Sequence, residues 1–216
     1  MLKWIANLFF PPKCIFCRKV LGPNELDLCH RCRENAPEVQ KSKIKYSFVA
    51  RWTAVWYYKE NARRSILRYK FYYHRSFAGA FGRFLAMKLQ REGFDDFDLM
   101  TWVPVAPLRR LKRGFDQVED LAYAVGRELS VNPVKTLVKI RNTPPQSGIH
   151  GAAARRANVL GAFRVQDPSA VKGKRILLLD DVITTGATAS ECARTLLSAG
   201  AKEVTLAAIA TAAYEK

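Results

Sequence analysis

No stretch of this chain is long and apolar enough to cross a membrane. The apolar segment from Leu2 to Phe10 is short, is followed by Pro11 and Pro12, and has no small-residue cleavage site. We interpret it as a short helix that docks on the body of the protein. The sequence therefore predicts no membrane insertion and, by default, a cytoplasmic location.

Acidic residues are also scarce. The 216 residues include 19 Asp and Glu against 36 Lys and Arg, a formal net charge of +17. That excess favours polyanionic partners such as nucleic acid, pyrophosphate or an acidic protein, although a merely soluble basic surface has the same composition. Hydrophobic residues make up 49% of the chain. This argues against wholesale disorder and allows one medium-sized α/β domain with a small module beside it.

Cysteine is rare, and four of the five cysteines form two pairs near the start of the chain. Cys14 and Cys17 make one Cys-x-x-Cys pair, and Cys29 and Cys32 make the other. Four thiolates at this spacing can hold one tetrahedral Zn²⁺. Because no ligand position stays open, we predict structural zinc without catalysis. Two disulfides, a redox-active pair, and iron in the same four-sulfur site are the alternatives.

These pairs predict two structural units. A zinc-binding module over residues 1–47 would need its metal to fold, and a main domain would follow over residues 48–216. We expect His30, inside the second pair, to be solvated rather than a ligand. We expect Cys192 to lie in the core of the main domain.

Residues 176–188 carry the most specific pattern in the chain. Residues 176–179 are apolar at every position, as in a strand buried on both faces of a parallel sheet. Two carboxylates end the run, and a turn rich in threonine and glycine leads into a helical pattern. The candidate binding residues are Asp180, Asp181, Val182, Ile183, Thr184, Thr185, Gly186, Ala187 and Thr188. In open α/β sheets, ligands bind beyond the carboxyl ends of such strands.

The residue types of this turn suit a 5-phosphorylated ribose. Backbone N–H groups of residues 184–188 can converge on a phosphate at the start of the helix. Asp180 and Asp181 can accept hydrogen bonds from sugar hydroxyls, or hold Mg²⁺ through water. The stretch closely resembles the 5-phosphoribosyl-1-pyrophosphate (PRPP) motif of type I phosphoribosyltransferases. An ordinary strand-to-helix turn with incidental capping threonines is the alternative.

Two further segments are candidates for the same site. A strand over residues 97–104, the first of the main sheet in this interpretation, leads into a basic segment that we predict to be a pyrophosphate-binding loop. A solvated run of charge is the alternative. Residues 141–151 have no periodicity and are rich in Pro, Gly and Ser, which is typical of a mobile lid. The candidates are Pro104, Val105, Arg109 and Arg113 for the pyrophosphate, and Arg141, Gln146 and Arg155 for the lid.

Aromatic and basic residues interleave from Arg51 to Arg75. Such a mixture is typical of a single-stranded nucleic-acid surface, on which bases stack and phosphates pair. The alternative is an amphipathic strand over residues 53–59 and a helix over residues 61–70 whose aromatic side chains pack in the core. We favour the core for most of them.

The chain as a whole resembles the ComF competence-protein family. The resemblance rests on the two cysteine pairs, the 180–188 motif, Arg113-Gly114-Phe115-Asp116-Gln117, Arg141-x-Thr143-x-x-Gln146 and Arg155-x-x-Asn158-Val159. It implies an α/β fold like that of type I phosphoribosyltransferases: a mostly parallel, five-stranded sheet with helices on both faces, plus a small zinc-ribbon-like N-terminal module. The family usually has Asn where Asp116 stands and Leu where Ile149 stands. Asp116 removes a donor and adds negative charge near the pyrophosphate segment.

Two functions follow from this resemblance. The first is a protein of DNA uptake in natural transformation that binds PRPP or another 5′-phosphorylated ribose, together with single-stranded DNA, and that works with competence-machinery proteins. The second is an active, Mg-PRPP-dependent phosphoribosyltransferase of nucleotide metabolism, in which Asp180 and Asp181 are catalytic because they stabilise a cationic ribose. Purine enzymes of this type carry Asp where Thr184 stands, so that acid–base group is missing. A PRPP-sensing regulator is a third interpretation.

Overall fold

The structure is a computed structural model that describes residues 11–40, 43–71, 74–144, 148–149 and 151–212. The predicted helix over residues 2–10 lies outside the described residues. So does Gln146 of the predicted lid, and so do Tyr72 and Tyr73 of the aromatic segment.

Within these ranges the chain forms eight helices and six strands. In chain order they are α1 (His30–Glu34), β1 (Arg51–Tyr57), α2 (Glu60–Phe71), α3 (Phe77–Arg91), β2 (Leu99–Trp102), α4 (Pro107–Arg113), α5 (Gln117–Leu129), β3 (Leu137–Lys139), α6 (Ala152–Val159), β4 (Phe163–Val165), α7 (Pro168–Val171), β5 (Arg175–Ile183), α8 (Ala187–Ser198) and β6 (Glu203–Thr211).

Four parallel strands form the main sheet, in the order β1-β6-β5-β2. The central position of β5 and the burial of residues 176–181 confirm the strand predicted from the apolar run. The structure corrects two details. β1 comes before β2 in the chain and belongs to the same sheet. The segment 97–104, which contains β2, is therefore not the first strand of the main sheet. The main sheet also has four strands and not five among the described residues. Next to β2, Val134 N donates to Met100 O (2.9 Å), but no strand forms around Val134. β3 and β4 instead form a separate antiparallel pair.

Both faces of the main sheet are covered, as the predicted fold class requires. Side chains alternate along a strand. Accordingly, Leu177 and Leu179 of β5 belong to one buried cluster, with residues of α3 and α5. Ile176 and Leu178 belong to another, with residues of α8 that include the fully buried Cys192. The double burial explains why β5 has no polar position between its first residue, Arg175, and Asp180.

The cysteine-bearing segment shares the first of these clusters. The Phe16 ring lies 5.0 Å from the Trp56 ring in an edge-to-face arrangement. Arg68 Nη1 on α2 donates to Phe16 O (2.9 Å). Arg83 on α3 forms a two-pronged ion pair with Asp27, at 2.6 and 2.8 Å. The segment is therefore packed and hydrogen-bonded against α2 and α3.

The six described aromatic residues of the 51–75 segment differ in burial: Trp56 and Tyr69 are buried, Trp52, Tyr57 and Tyr58 are partly buried, and Phe71 is exposed. Trp56 and Tyr69 are 1% and 0% exposed and pack in the core, which confirms the core interpretation for these rings. Phe71, at the end of α2, differs from them because it is 55% exposed.

Two segments predicted as loops are helical. Pro107 starts α4 at a position where a helix tolerates its missing N–H, and Gly114 (φ +74°) ends it, so the basic segment is a short helix and not a loop. Arg155 lies on α6 and not in a loop, in a run of alanine and arginine that favours helix. None of the helices in the described part of the chain combines the length and the apolar character needed to cross a membrane.

Candidate functional site

A cavity of about 810 Å³ opens where β2 and β5 end. All nine residues predicted for the ribose-phosphate motif line it, and so do the four predicted for the pyrophosphate and Arg155. Other walls come from α2 and the start of α5. The full lining is Tyr58, Arg63, Leu67, Lys70, Phe71, Val103, Pro104, Val105, Ala106, Arg109, Arg113, Phe115, Gln117, Val118, Lys139, Thr143, Arg155, and residues 180–189.

The turn from β5 to α8 forms one end of the cavity. β5 continues through Ile183, and α8 begins at Ala187 after Gly186, whose φ is +73°. The first N–H groups of a helix have no intrahelical acceptor, and the helix dipole is positive at this end. This end of α8 can therefore bind an anion.

Gly186 is required at this turn for two reasons. Its positive φ is unfavourable for residues with a Cβ. In addition, a Cβ at this position would lie 2.2 Å from Cδ1 of Tyr46. Tyr46 is itself buried and packs edge-to-face on Trp52, 5.2 Å between ring centroids. Tyr46, in the segment that follows the cysteine pairs, therefore packs against the turn at Gly186.

The two acids at the end of β5 differ in their surroundings. Asp181 accepts hydrogen bonds on both carboxylate oxygens: Lys70 Nζ donates to Oδ1 (2.7 Å) and Gln117 Nε2 to Oδ2 (2.9 Å). Asp180 accepts from the backbone N–H of Asp181 (2.8 Å). Burial, with the charge of Asp181, raises the pKa of Asp180 to about 8 despite the nearby Lys70. Asp180 is therefore harder to ionise than an ordinary aspartate.

Asp116 supports the pyrophosphate segment through the backbone. Its Oδ1 accepts from the N–H groups of Val118 and Glu119 (3.0 and 3.1 Å), which caps α5, and its Oδ2 accepts from Val105 N (3.1 Å). Burial raises the pKa of Asp116, and these backbone donors oppose that rise. An asparagine at this position could accept the same bonds only through its single carbonyl oxygen.

Basic side chains outnumber acids around the cavity. Of the described residues that line it, six are Lys or Arg and two are Asp. The Arg113 guanidinium lies 4.7 Å from the centre of the exposed Phe71 ring. Burial, with the charge of Arg109, lowers the pKa of Lys139 to about 8. The cavity as a whole therefore suits an anionic ligand.

The predicted lid residues have separate places. Arg155 Nε donates to Ile149 O (2.8 Å), and this arginine lines the cavity. Arg141 does not line it. Its Nη2 donates to Asn158 O and Leu160 O (3.1 and 2.7 Å) and so holds the end of α6. Arg141 thus contacts the main chain around the end of α6, and its role in a lid stays a prediction.

The four cysteine sulfurs form a compact cluster. Their Sγ atoms all lie within 4.8 Å of one another, and Cys17 Sγ is 3.7 Å from Cys29 Sγ. A tetrahedral zinc with Zn–S bonds of about 2.3 Å requires sulfur–sulfur distances of about 3.8 Å, so the donor set fits zinc. All four are free thiols, not disulfides. His30 stands apart, exposed and 3.2 Å from Glu34, as predicted.

Known proteins share both parts of the chain. Residues 110–215 match the phosphoribosyl transferase domain family, and residues 5–43 match the double zinc ribbon domain family. DNA utilization protein YhgH of Escherichia coli O157:H7 is 30% identical over 181 residues, which cover 82% of this chain and 74% of that protein. The chain belongs to the ComF family.

Two further relatives carry competence names. Competence protein ComFC of Streptococcus pneumoniae is 30% identical over 154 residues, 70% of this chain and 64% of that protein. Competence protein F of Haemophilus influenzae is 32% identical over 112 residues, 51% of this chain and 48% of that protein.

The motifs that carried the ComF resemblance divide by position. Gln117, Thr143 and Arg155 line the cavity. Asn158 and Arg141 do not line it and instead donate to main-chain oxygens. Asn158 Nδ2 donates to Pro144 O (3.2 Å). Sequence reasoning missed Lys70 entirely, because nothing local marks it as a partner of Asp181. It also gave Gln117 no role, although the motif that contains it was a usable signal.

We expect Cys32→Ala to abolish zinc binding, because three thiolates leave the tetrahedral site incomplete. Cys192→Ala is the matched control, since Cys192 is also buried but lies in α8, and it should keep about one zinc per chain. Elemental analysis of the purified proteins measures this. Iron in place of zinc, or zinc retained by the Cys32 variant, would contradict the assignment.

We expect Gly186→Ala to destabilise the protein more than Gly173→Ala. Both glycines have positive φ (+73° and +71°), but a Cβ on Gly173 meets nothing within 4 Å. The control should cost about 1–2 kcal/mol from the backbone alone, and Gly186→Ala roughly 1–3 kcal/mol more from overlap with Tyr46. Urea unfolding of both variants measures the difference. Equal losses would show that the Tyr46 contact is unimportant.

Proposed function

We propose that this ComF-family protein acts in DNA uptake during natural transformation. In this proposal its cavity binds PRPP or another 5-phosphorylated ribose, and its basic surface binds single-stranded DNA. The cavity assignment rests on one observation: the groups that could bind a sugar and those that could bind a phosphate line the same cavity. The acid pair of β5 and the positive end of α8 face one cavity that six basic side chains also line.

The acid pair favours a free sugar phosphate over a DNA end. Vicinal ribose hydroxyls can donate to the carboxylates of Asp180 and Asp181, while the phosphate binds at the turn beyond them. A DNA 5′ end lacks the 2′-hydroxyl, and its 3′-oxygen belongs to a phosphodiester. Such an end would bring a second phosphate against the buried Asp181. We therefore assign the cavity to the free ribose ligand and DNA to another surface.

Charge and relatives support the DNA part. The net charge of +17 favours binding to a polyanion. The relatives include a protein named for DNA utilization and others named for competence. We propose competence-machinery proteins as further partners. We also propose a cytoplasmic location, because zinc thiolates are stable in a reducing compartment, and a division into a zinc module over residues 1–47 and a main domain over 48–216.

A second candidate function is phosphoribosyl transfer. The family match to phosphoribosyl transferase domains favours it, and so does the cavity volume of about 810 Å³, with Tyr58 and Phe71 in the lining as apolar surface for an acceptor. Thr184 cannot replace the acid that purine enzymes have at this position. Release of pyrophosphate from PRPP with a panel of bases and amines would favour transfer, and its absence would favour binding alone.

We expect the double variant Asp180→Asn/Asp181→Asn to bind PRPP about 10- to 100-fold more weakly than the wild type, because hydrogen bonds to charged acceptors are among the stronger ones. The matched control is Asp95→Asn/Asp96→Asn, which makes the same charge change at exposed positions ahead of β2. Calorimetric titration measures both. Equal loss in the two double variants, or none in either, would refute the cavity assignment.

We expect the affinity for single-stranded DNA to fall steeply with salt and not to depend on whether the 5′ end carries a phosphate. A surface that neutralises about four phosphates loses roughly 50-fold in affinity when salt rises about fourfold. Oligonucleotides with a 5′-phosphate and a 5′-hydroxyl should bind equally, as measured by fluorescence anisotropy. A strong preference for the 5′-phosphate would instead put the DNA end in the cavity, and binding insensitive to salt would refute the electrostatic surface.

A further inference from the structure

Both oxygens of the Asp181 carboxylate already accept a hydrogen bond from a protein donor. Lys70 Nζ lies 2.7 Å from Oδ1, and Gln117 Nε2 lies 2.9 Å from Oδ2. Mg²⁺ requires near-octahedral oxygen ligands, either directly or through its own waters. A divalent cation bound directly to Asp181 would compete with both donors and meet the charge of the Lys70 ammonium. The surroundings of Asp181 therefore do not fit the Mg²⁺ that a PRPP site implies.

The position of Lys70 is built into the fold. The preceding residue, Tyr69, is completely buried, and its hydroxyl donates to the backbone oxygen of Gln117 (2.5 Å). One turn of α2 thus carries Lys70 and is tied to the residue that supplies the second donor. The Lys70 side chain is 17% exposed and that of Asp181 8%. An ion pair at this depth is screened much less than a surface pair.

We propose that Lys70 supplies, as a fixed side chain, the positive charge that Mg²⁺ would otherwise supply beside Asp181, so that the cavity binds its 5-phosphorylated ribose without a divalent cation. This rests on the proposed function of the cavity. The Lys70 ammonium neutralises Asp181 before any ligand arrives. The other basic side chains of the lining then face the anionic groups of the ligand without opposition from that acid.

The same cluster has an unsatisfied acceptor. Gln117 is 4% exposed and lines the cavity, and its Oε1 has no hydrogen-bond partner among the described residues. The bond from Nε2 to Asp181 fixes which end of the amide carries the oxygen. A buried acceptor without a partner is costly. A ribose hydroxyl that donates to Oε1 would remove this cost, which makes Gln117 a second ligand contact that needs no metal.

The test is titration of ribose 5-phosphate with and without Mg²⁺. This ligand is preferable to PRPP, whose pyrophosphate itself binds Mg²⁺. The zinc-loaded protein is used in buffer depleted of Mg²⁺ by an ion-exchange resin, since a soluble chelator would extract the zinc. We expect millimolar Mg²⁺ to change the wild-type affinity by less than about twofold.

Two substitutions separate the charge of Lys70 from its bulk. Lys70→Met should weaken binding about 10- to 100-fold in Mg²⁺-free buffer, and added Mg²⁺ should restore part of the loss because Asp181 is then free to hold it. Lys70→Arg keeps the charge and should stay independent of Mg²⁺. Arg64→Met, on the exposed side of α2 and outside the cavity lining, is the control and should bind like the wild type.

Each outcome has a distinct meaning. Wild-type binding that requires Mg²⁺ would overturn this inference and leave the proposed cavity function standing. No binding in either buffer would refute both. A Lys70→Met variant that is folded by circular dichroism and binds as well as the wild type without Mg²⁺ would also overturn the inference. Mg²⁺-independent binding lost in Lys70→Met, kept in Lys70→Arg and kept in Arg64→Met supports it.

Discussion

The bonds from Lys70 and Gln117 to Asp181 are the interaction on which the site depends. They join three elements that are remote in sequence: α2, the start of α5 and the end of β5. Without these donors a buried carboxylate would lie unpaired beside Asp180, which is a costly arrangement. With them, the edge of the sheet can place two acids next to the anion-binding end of α8. The cavity can then offer acceptors for hydroxyls and donors for phosphates a few residues apart.

The cysteine cluster supports the same interaction from the far side of α2. Arg68 on α2 donates to the backbone oxygen of Phe16, which lies between Cys14 and Cys17. Tyr46, in the segment that follows the cysteine pairs, packs behind Gly186. The first part of the chain thus contacts both the helix that carries Lys70 and the turn that can bind phosphate. The zinc module therefore supports two walls of the cavity through these contacts, although its four cysteines do not line the cavity.

Local sequence was sufficient wherever a residue's role depends on its neighbours in the chain. Strand β5 continues past the acids to Ile183, beyond its predicted end. The run 176–179 nevertheless predicted the strand itself, and the threonine- and glycine-rich turn predicted the start of a helix, because burial on both faces and helix entry leave direct marks on sequence. The cysteine spacing predicted the sulfur cluster for the same reason. Lys70 could not be predicted in this way, because its partner lies 111 residues further on. The basic run of α4 was ambiguous, since Pro107 suits either a loop or a first helical turn. The alanines of α6 favour a helix, but the Pro- and Gly-rich stretch before them led to the prediction of a loop.

A crystal structure of the zinc-loaded protein with ribose 5-phosphate tests the central claim most directly. We predict the phosphate at the backbone N–H groups of residues 184–188, with the sugar hydroxyls against Asp180, Asp181 and Gln117 and with Lys70 still paired to Asp181. A phosphate bound instead by Arg109 or Lys139, with the β5-to-α8 turn empty, would contradict it.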